Sequence, residues 1–169
     1  TATITASDLT TLLALTDANT NGNNALTIIE TGPSADAAYL NTVAAITGVV
    51  VDATAVKTIT GTADAIVNVA QSAGITTAAG YAATVNSGTT TVAQALILDT
   101  ATTGAITADI TEGDLATLTT LTDANGNNAL TITVTNPSAD AADLNTLATI
   151  TSVAVDATAV TTIAGSAAT

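Results

Sequence analysis

Along this chain the apolar positions follow two different periods, and the switch between them recurs. Leu130, Ile132 and Val134 alternate with Thr131, Thr133 and Thr135. Ile106, Ala108 and Ile110 alternate with Ala105, Thr107 and Asp109, and Ala2, Ile4 and Ala6 with Thr1, Thr3 and Thr5. A period of two predicts strands with an apolar face inward and a threonine-rich face outward. Elsewhere the spacing is helical. Leu9, Leu12 and Leu13 share a face, as do Leu115, Leu118 and Leu121. Leu40, Val43 and Ala44 match Leu144, Leu147 and Ala148, and the same spacing joins Ile66, Val67 and Ala70, then Val92, Ala93, Leu96 and Ile97. Each predicted helix spans about three turns, too short to stand alone, so it must dock on a neighbour.

One further strand per copy and one between the copies complete the pattern. Val49–Val51 and Val153–Val155 each precede an Asp-Ala-Thr-Ala-Val run and a short Ile-x-Gly. Ile75 to Val85 reads as one irregular strand, with Gly80 as a bulge or bend. Helix starts are predicted at Ser7, Ser34, Thr62, Thr89, Gly113, Ser138 and Ser166, at nearly even intervals along the chain. A serine or threonine hydroxyl there accepts from an otherwise unpaired amide of the first turn. Asp8, Asp36, Asp64, Asp114 and Asp140 follow closely, where a carboxylate favours the positive helix end. Pro33 and Pro137 end the preceding strands.

These local units sit inside a longer repeat. Residues 7–61 align with 113–165 once Thr20-Asn21 is treated as an insertion, giving 39 identities in 53 paired positions. The long period is about 105 residues, with 62–112 as intervening coils. The whole of 1–169 is read as a single repeat array. A unit of one strand and one short helix in about 26 residues cannot bury its apolar face alone, whereas stacked units can. The threonine alternation leaves one sheet face bare, unlike a doubly wound sheet with helices on both sides. The expected fold is therefore α/β: a solenoid with a parallel β-sheet and helices along one side.

Composition narrows the chemistry. Hydrophobic residues make up 47%, with no Phe, Trp, Met or Cys, so the core must be aliphatic and thin-layered. Fourteen acidic residues face one base, Lys57. Nucleic acid and anionic membrane surfaces both require Lys and Arg, so neither is an expected partner. No apolar run reaches the roughly 18–20 residues that span a bilayer, which argues against membrane insertion. The near-absence of trypsin sites suits a protein exposed outside the cell. The chain opens inside a strand pattern without an initiator Met, and is read as a segment of something longer or a processed product.

Candidate sites are few. Asp17, Asn19 and Asn21, followed by Gly22, echo the first positions of a calcium loop, and Asp123 and Asn125 are their counterparts. Against Ca2+ stand Ile28 in place of the twelfth-position carboxylate and the two-residue difference between the copies. The favoured alternative is that Asn-Gly ends a helix and turns the chain into the next strand. Asp52 and Asp156 occupy the same place in both copies and are read as turn caps. With no His or Cys and no Arg, and no carboxylate pair in an evident pocket, no catalytic constellation emerges, so no enzyme and no cofactor are expected.

The stretch TVAQALILDTATTGAITADITEGDLATL, Thr91 to Leu118, resembles the Ala/Thr/Asp-rich repeats of long bacterial surface proteins, notably cyanobacterial hemolysin-like or S-layer-like ones. That resemblance implies an extracellular or cell-surface location, secretion without a cleaved signal, and a role in a coat, sheath or fibre. The calcium nonapeptide of such proteins, G-G-x-G-x-D, is missing here. The leading expectation is a non-enzymatic structural repeat segment of a surface layer or filament. Its partners would be itself or neighbouring repeats, joined through strand edges and coil ends. The alternatives are an adhesin using the threonine-rich face, and an ice-binding solenoid.

Overall fold

The structure is a computed structural model that describes residues 2–7, 9–15 and 24–165. The first elements are β1 (Ala2–Ala6), a 3₁₀ segment (Leu9–Ala14), β2 (Leu26–Glu30), β3 (Ser34–Asp36) and α1 (Ala37–Ile46). Next come β4 (Val51–Ala53), β5 (Thr58–Thr62), α2 (Ala63–Gln71), β6 (Ile75–Thr77), β7 (Ala82–Ser87) and α3 (Val92–Ala101). The remainder holds β8 (Ile106–Asp109), α4 (Leu115–Leu118), β9 (Ala129–Thr131), β10 (Ser138–Asp140), α5 (Ala141–Ile150) and β11 (Thr162–Ala164).

The chain is a mixed α/β fold with parallel sheets. Strands are ordered β1-β2-β4-β6 in one sheet, β3-β5-β7-β8-β9 in a second and β10-β11 in a third. Partners are separated by a nearly constant stretch of sequence. Ala2 pairs with Leu26, Ser34 with Thr58, Val51 with Ile75 and Ser138 with Thr162, a step of 24 in each case. The step is 23 between Ala83 and Ile106 and 22 between Thr107 and Ala129.

This ladder step is shorter than the unit expected from the sequence. The helix caps Asp36, Thr62, Thr91, Asp114 and Asp140 are 26, 29, 23 and 26 apart. The unevenness is taken up outside the ladder. A bulge opposite Gly61/Thr62 skips one residue of β7, and Thr90 bridges to Ile110 by a shorter step than any in the ladders.

Constant offsets stack like positions over one another. Ala35, Ile59, Ala83 and Ile106 are consecutive partners across four strands, and all are buried. Small and branched side chains thus alternate up the column. On the opposite face of the same strands lie Asp36, Thr60, Thr84, Thr107 and Ala129. Helix α1 packs against the 3₁₀ segment and α2, and α2 packs against α3. The core is aliphatic apart from Tyr81, whose ring is buried.

Several sequence expectations shift by a few residues. Ser34 and Ser138 lie in strands, and the caps are Asp36 and Asp140, whose carboxylates accept from Ala38 N and Ala142 N at 2.8 Å each. The carboxylate is the cap itself, rather than a charge placed behind a hydroxyl cap. The third helix is capped at Thr91, not Thr89, through a reciprocal pair with Gln94. The fourth is capped at Asp114 rather than Gly113.

Ile75 to Val85 is two strands separated by a turn at Gly80. Helix α3 buries Val92, Ala95 and Leu98, while Ala93 is exposed and Leu96 and Ile97 are half-buried. Tyr39 is on the surface, Ser166 lies outside the described residues, and the short strands β3, β5 and β10 had no periodic signature of their own. No helix among the described residues is long and apolar enough to cross a membrane.

The two copies give a direct contrast in packing energy. Ile59 is 0% exposed between Ala35 and Ala83, whereas its counterpart Ile163 is 64% exposed. Ile59→Ala is therefore expected to lower unfolding free energy by roughly 2–5 kcal/mol. Ile163→Ala should change it by less than about 0.5 kcal/mol. Urea denaturation of the two variants checks this, and equal losses would contradict the stacking described.

Candidate functional site

The polar groups that recur in this structure sit where each helix hands over to the next strand. Thr47, Thr102 and Thr151 are the residues immediately after α1, α3 and α5, and all three are buried. The Thr151 hydroxyl donates to Leu130 O at 2.7 Å and accepts from Leu130 N at 2.8 Å and Val153 N at 3.1 Å. Thr47 relates in the same way to Leu26 and Val49, and Thr102 accepts from Gly104 N while bonding Tyr81 O. In each case the clamped residue lies 21 positions back. The next amide (Gly48, Thr103 or Ser152) then donates to a carbonyl 24 back, at Asn24, Ala79 or Asn128. One buried hydroxyl thus satisfies backbone groups of two successive strand–helix units where the ladder is interrupted by a corner. Gly104 is part of the same corner, since a Cβ there would collide with the carbonyl of Tyr81.

Pattern reading treated threonine as a surface strand residue and missed this clamp. The signal was the retention of Thr47 as Thr151 directly after an isoleucine.

The carboxylates are occupied in a comparable way. Asp52 Oδ1 accepts from the amide and the hydroxyl of Thr54 at 3.0 and 2.7 Å, and Asp156 Oδ1 accepts from Thr158 N at 2.9 Å. Asp114 accepts from Thr117 and Asn136. These bonds hold all three carboxyls below the ordinary value of 3.8, with the backbone amide of Thr54, Thr158 or Thr117 as the largest cause.

Of the calcium candidates, Asp123 and Asn125 lie in the loop after α4, and Asp17, Asn19 and Asn21 fall outside the described residues. Asp123 Oδ1 accepts from Gly126 N and Asn127 N, and Oδ2 accepts from Asn128 N at 3.1 Å. Both oxygens are therefore turned onto the loop's own amides. Asn127 and Asn128 stitch that loop backwards, Asn127 to Thr103 O, and Asn128 to Ile106 N and to Asp99. Asp99 is buried, and it accepts from the Thr122 hydroxyl at 2.6 Å as well as from Asn128 Nδ2 and Ala124 N. Among the described residues no group of three or more carboxylates is placed to hold a metal.

Two shallow pockets open on the surface. One of about 630 Å³ is lined by Asp99, Thr103 and Asn125, and one of about 510 Å³ by Asp64 and Gln94, which bond each other at 2.6 Å.

Glu30 is the one acidic residue sealed from solvent without full compensation among the described residues. Its Oε1 accepts from Gly32 N at 2.6 Å, and its Oε2 has no partner among the described residues. The counterpart in the second copy is Val134, fully buried.

Comparison with protein-family models, with curated proteins and with solved structures finds no match to this chain.

Three outcomes follow from these contacts. Thr102→Val leaves the carbonyl of Tyr81 and the amide of Gly104 without their hydroxyl, and should cost about 1–3 kcal/mol in urea denaturation. Glu30→Val should raise stability by about 1 kcal/mol, because it removes a buried oxygen that has no partner among the described residues; a loss would show that Glu30 has a stabilising role.

The third concerns pH. Asp52, Asp114 and Asp156 have folded pKa values below the unfolded one, so their contribution is present above about 3.8 and disappears as pH falls through the depressed values. The advantage of the parent over an Asp52→Asn, Asp114→Asn, Asp156→Asn triple variant should shrink across that acid window. Denaturation midpoints measured at descending pH would show it, and a gap that persists below the window would contradict it.

Proposed function

We propose that this chain is a stretch of an α/β solenoid with a structural, non-enzymatic role in an extracellular coat, sheath or filament. The nearly constant ladder offset between successive strands and the series of packed helices support the solenoid. The observation that carries the structural role is the stacking of like positions: Ala35, Ile59, Ala83 and Ile106 lie over one another on successive strands, so the units bury their apolar sides against one another. A sequence with fourteen acids and one base gives such an object a net negative charge that favours solubility and repels polyanions.

The outward row Thr60, Thr84 and Thr107 favours a second reading, a binding face for an adhesin or for ordered water. A glycan array and a thermal-hysteresis measurement address its two forms.

For the leading reading, electron microscopy of the purified protein at high concentration should reveal rods or filaments with a width of a few nanometres. Small-angle scattering should give an elongated particle. A population of dispersed, rounded monomers in both measurements would overturn the structural role.

A further inference from the structure

Asn125 and Gly126 stand side by side in the loop between α4 and β9, and both are exposed. An asparagine followed by glycine carries its own reaction partner. The backbone nitrogen of the second residue can reach the side-chain amide carbon of the first, and glycine has no Cβ to obstruct the approach. Among the described residues nothing lies within 4 Å of the place a Cβ would occupy on Gly126, whose φ is 68°. Asn125 also lines the open hollow beside Asp99 and Thr103, so its side chain is reached by water.

The attacking nitrogen is held. Gly126 N donates to Asp123 Oδ1 at 2.8 Å, and Asn127 N donates to the same oxygen at 3.2 Å. Attack requires that nitrogen to give up its hydrogen and swing toward Asn125 Cγ. A carboxylate bonded to the hydrogen fixes the direction of the nitrogen and disfavours negative charge building on it.

We infer that Asn125–Gly126 is a self-modification site whose reaction is kept slow by Asp123. The Gly126 nitrogen bonds to Asn125 Cγ, the bond from Cγ to Nδ2 breaks, and ammonia leaves with the Gly126 hydrogen. Water then opens the cyclic imide at one carbonyl or the other, leaving aspartate or isoaspartate and one more negative charge. Isoaspartate also lengthens the backbone by a methylene, ahead of the two asparagines that fasten this loop to the preceding unit. Asn127 donates to Thr103 O, and Asn128 accepts from Ile106 N and donates to Asp99, each at 3.1 Å. The product loosens that seam, and the chain carries a slow clock at one of its corners.

The test incubates the whole chain at mildly alkaline pH and follows, by mass analysis of fragments, the conversion of amide to acid at residue 125. Cleavage at the single lysine, Lys57, parts this position from Asn21–Gly22, the other Asn-Gly step in the sequence. A free peptide of residues 120–132 sets the unrestrained rate. The parent should convert at least about tenfold more slowly than the peptide, and Asp123→Ala should recover most of that difference. Exchange of the Leu130 amide, which bonds the Thr151 hydroxyl, should stay slow in the variant and so show that its fold is kept. Asp123→Asn, of the same size with a neutral acceptor, should fall between the two and serves if the alanine variant unfolds. A parent as fast as the peptide would overturn the inference. So would a folded variant no faster than the parent, or a parent that gains no acid at residue 125 long after the peptide is spent.

Discussion

The constraint on which this structure depends is that no single strand–helix unit has enough of itself to hide its own apolar side. About two dozen residues supply one short helix and one or two strands, and among the described residues the apolar core is Ala, Val, Leu and Ile apart from Tyr81. Such side chains bury little area each, so burial has to come from neighbours at a fixed and short distance. Parallel pairing at a step of 24 provides that distance and repeats it. The helix caps, the corner clamps and the glycine turns all serve to return the chain to the same place one step later.

The unusual composition thereby acquires a mechanical meaning. Threonine does two jobs that its shape makes compatible: it lines the outward face of the strands, and after each of three helices it turns inward to bond a carbonyl 21 positions back. Aspartate is the usual acceptor at turns and helix starts, where carboxylates take backbone amides rather than cationic partners. A chain with a single lysine can be held together in this manner because amide donors are available wherever the backbone turns. The negative charge left on the outside then acts as a solubilising coat for an otherwise aliphatic object.

Much of this was legible in the residues, and the part that was not has a physical reason. The alternation at 106–110 and 130–134 and helices α1, α2, α3 and α5 follow from period, and the parallel pairing from the need of repeated units to stack. The expected three-turn helices at Leu9 and Leu115 are instead a 3₁₀ segment and a single turn. The caps at Asp36 and Asp140 were misplaced by two residues because Ser-Ala-Asp offers two good cap side chains, and only pairing with Thr58 or Thr162 draws the serine into a strand. The buried face of α3 was missed because Asp99 sits on it, paired with Thr122 and Asn128 from the following unit. No local pattern announces a partner that far away. Glu30 has the same character: a charge breaks the apolar alternation of β2, and burial follows from the neighbouring strands rather than from its own sequence.

The alternating column of Ala35, Ile59, Ala83 and Ile106 has an evolutionary corollary, and Ala139 with Ile163 begins the same sequence of sizes again. Deleting one rung would bring isoleucine against isoleucine or alanine against alanine, one crowding the interior and the other leaving a void. Removing or duplicating rungs two at a time keeps the volumes matched. Changes of length that preserve this packing are therefore those made in even numbers of rungs.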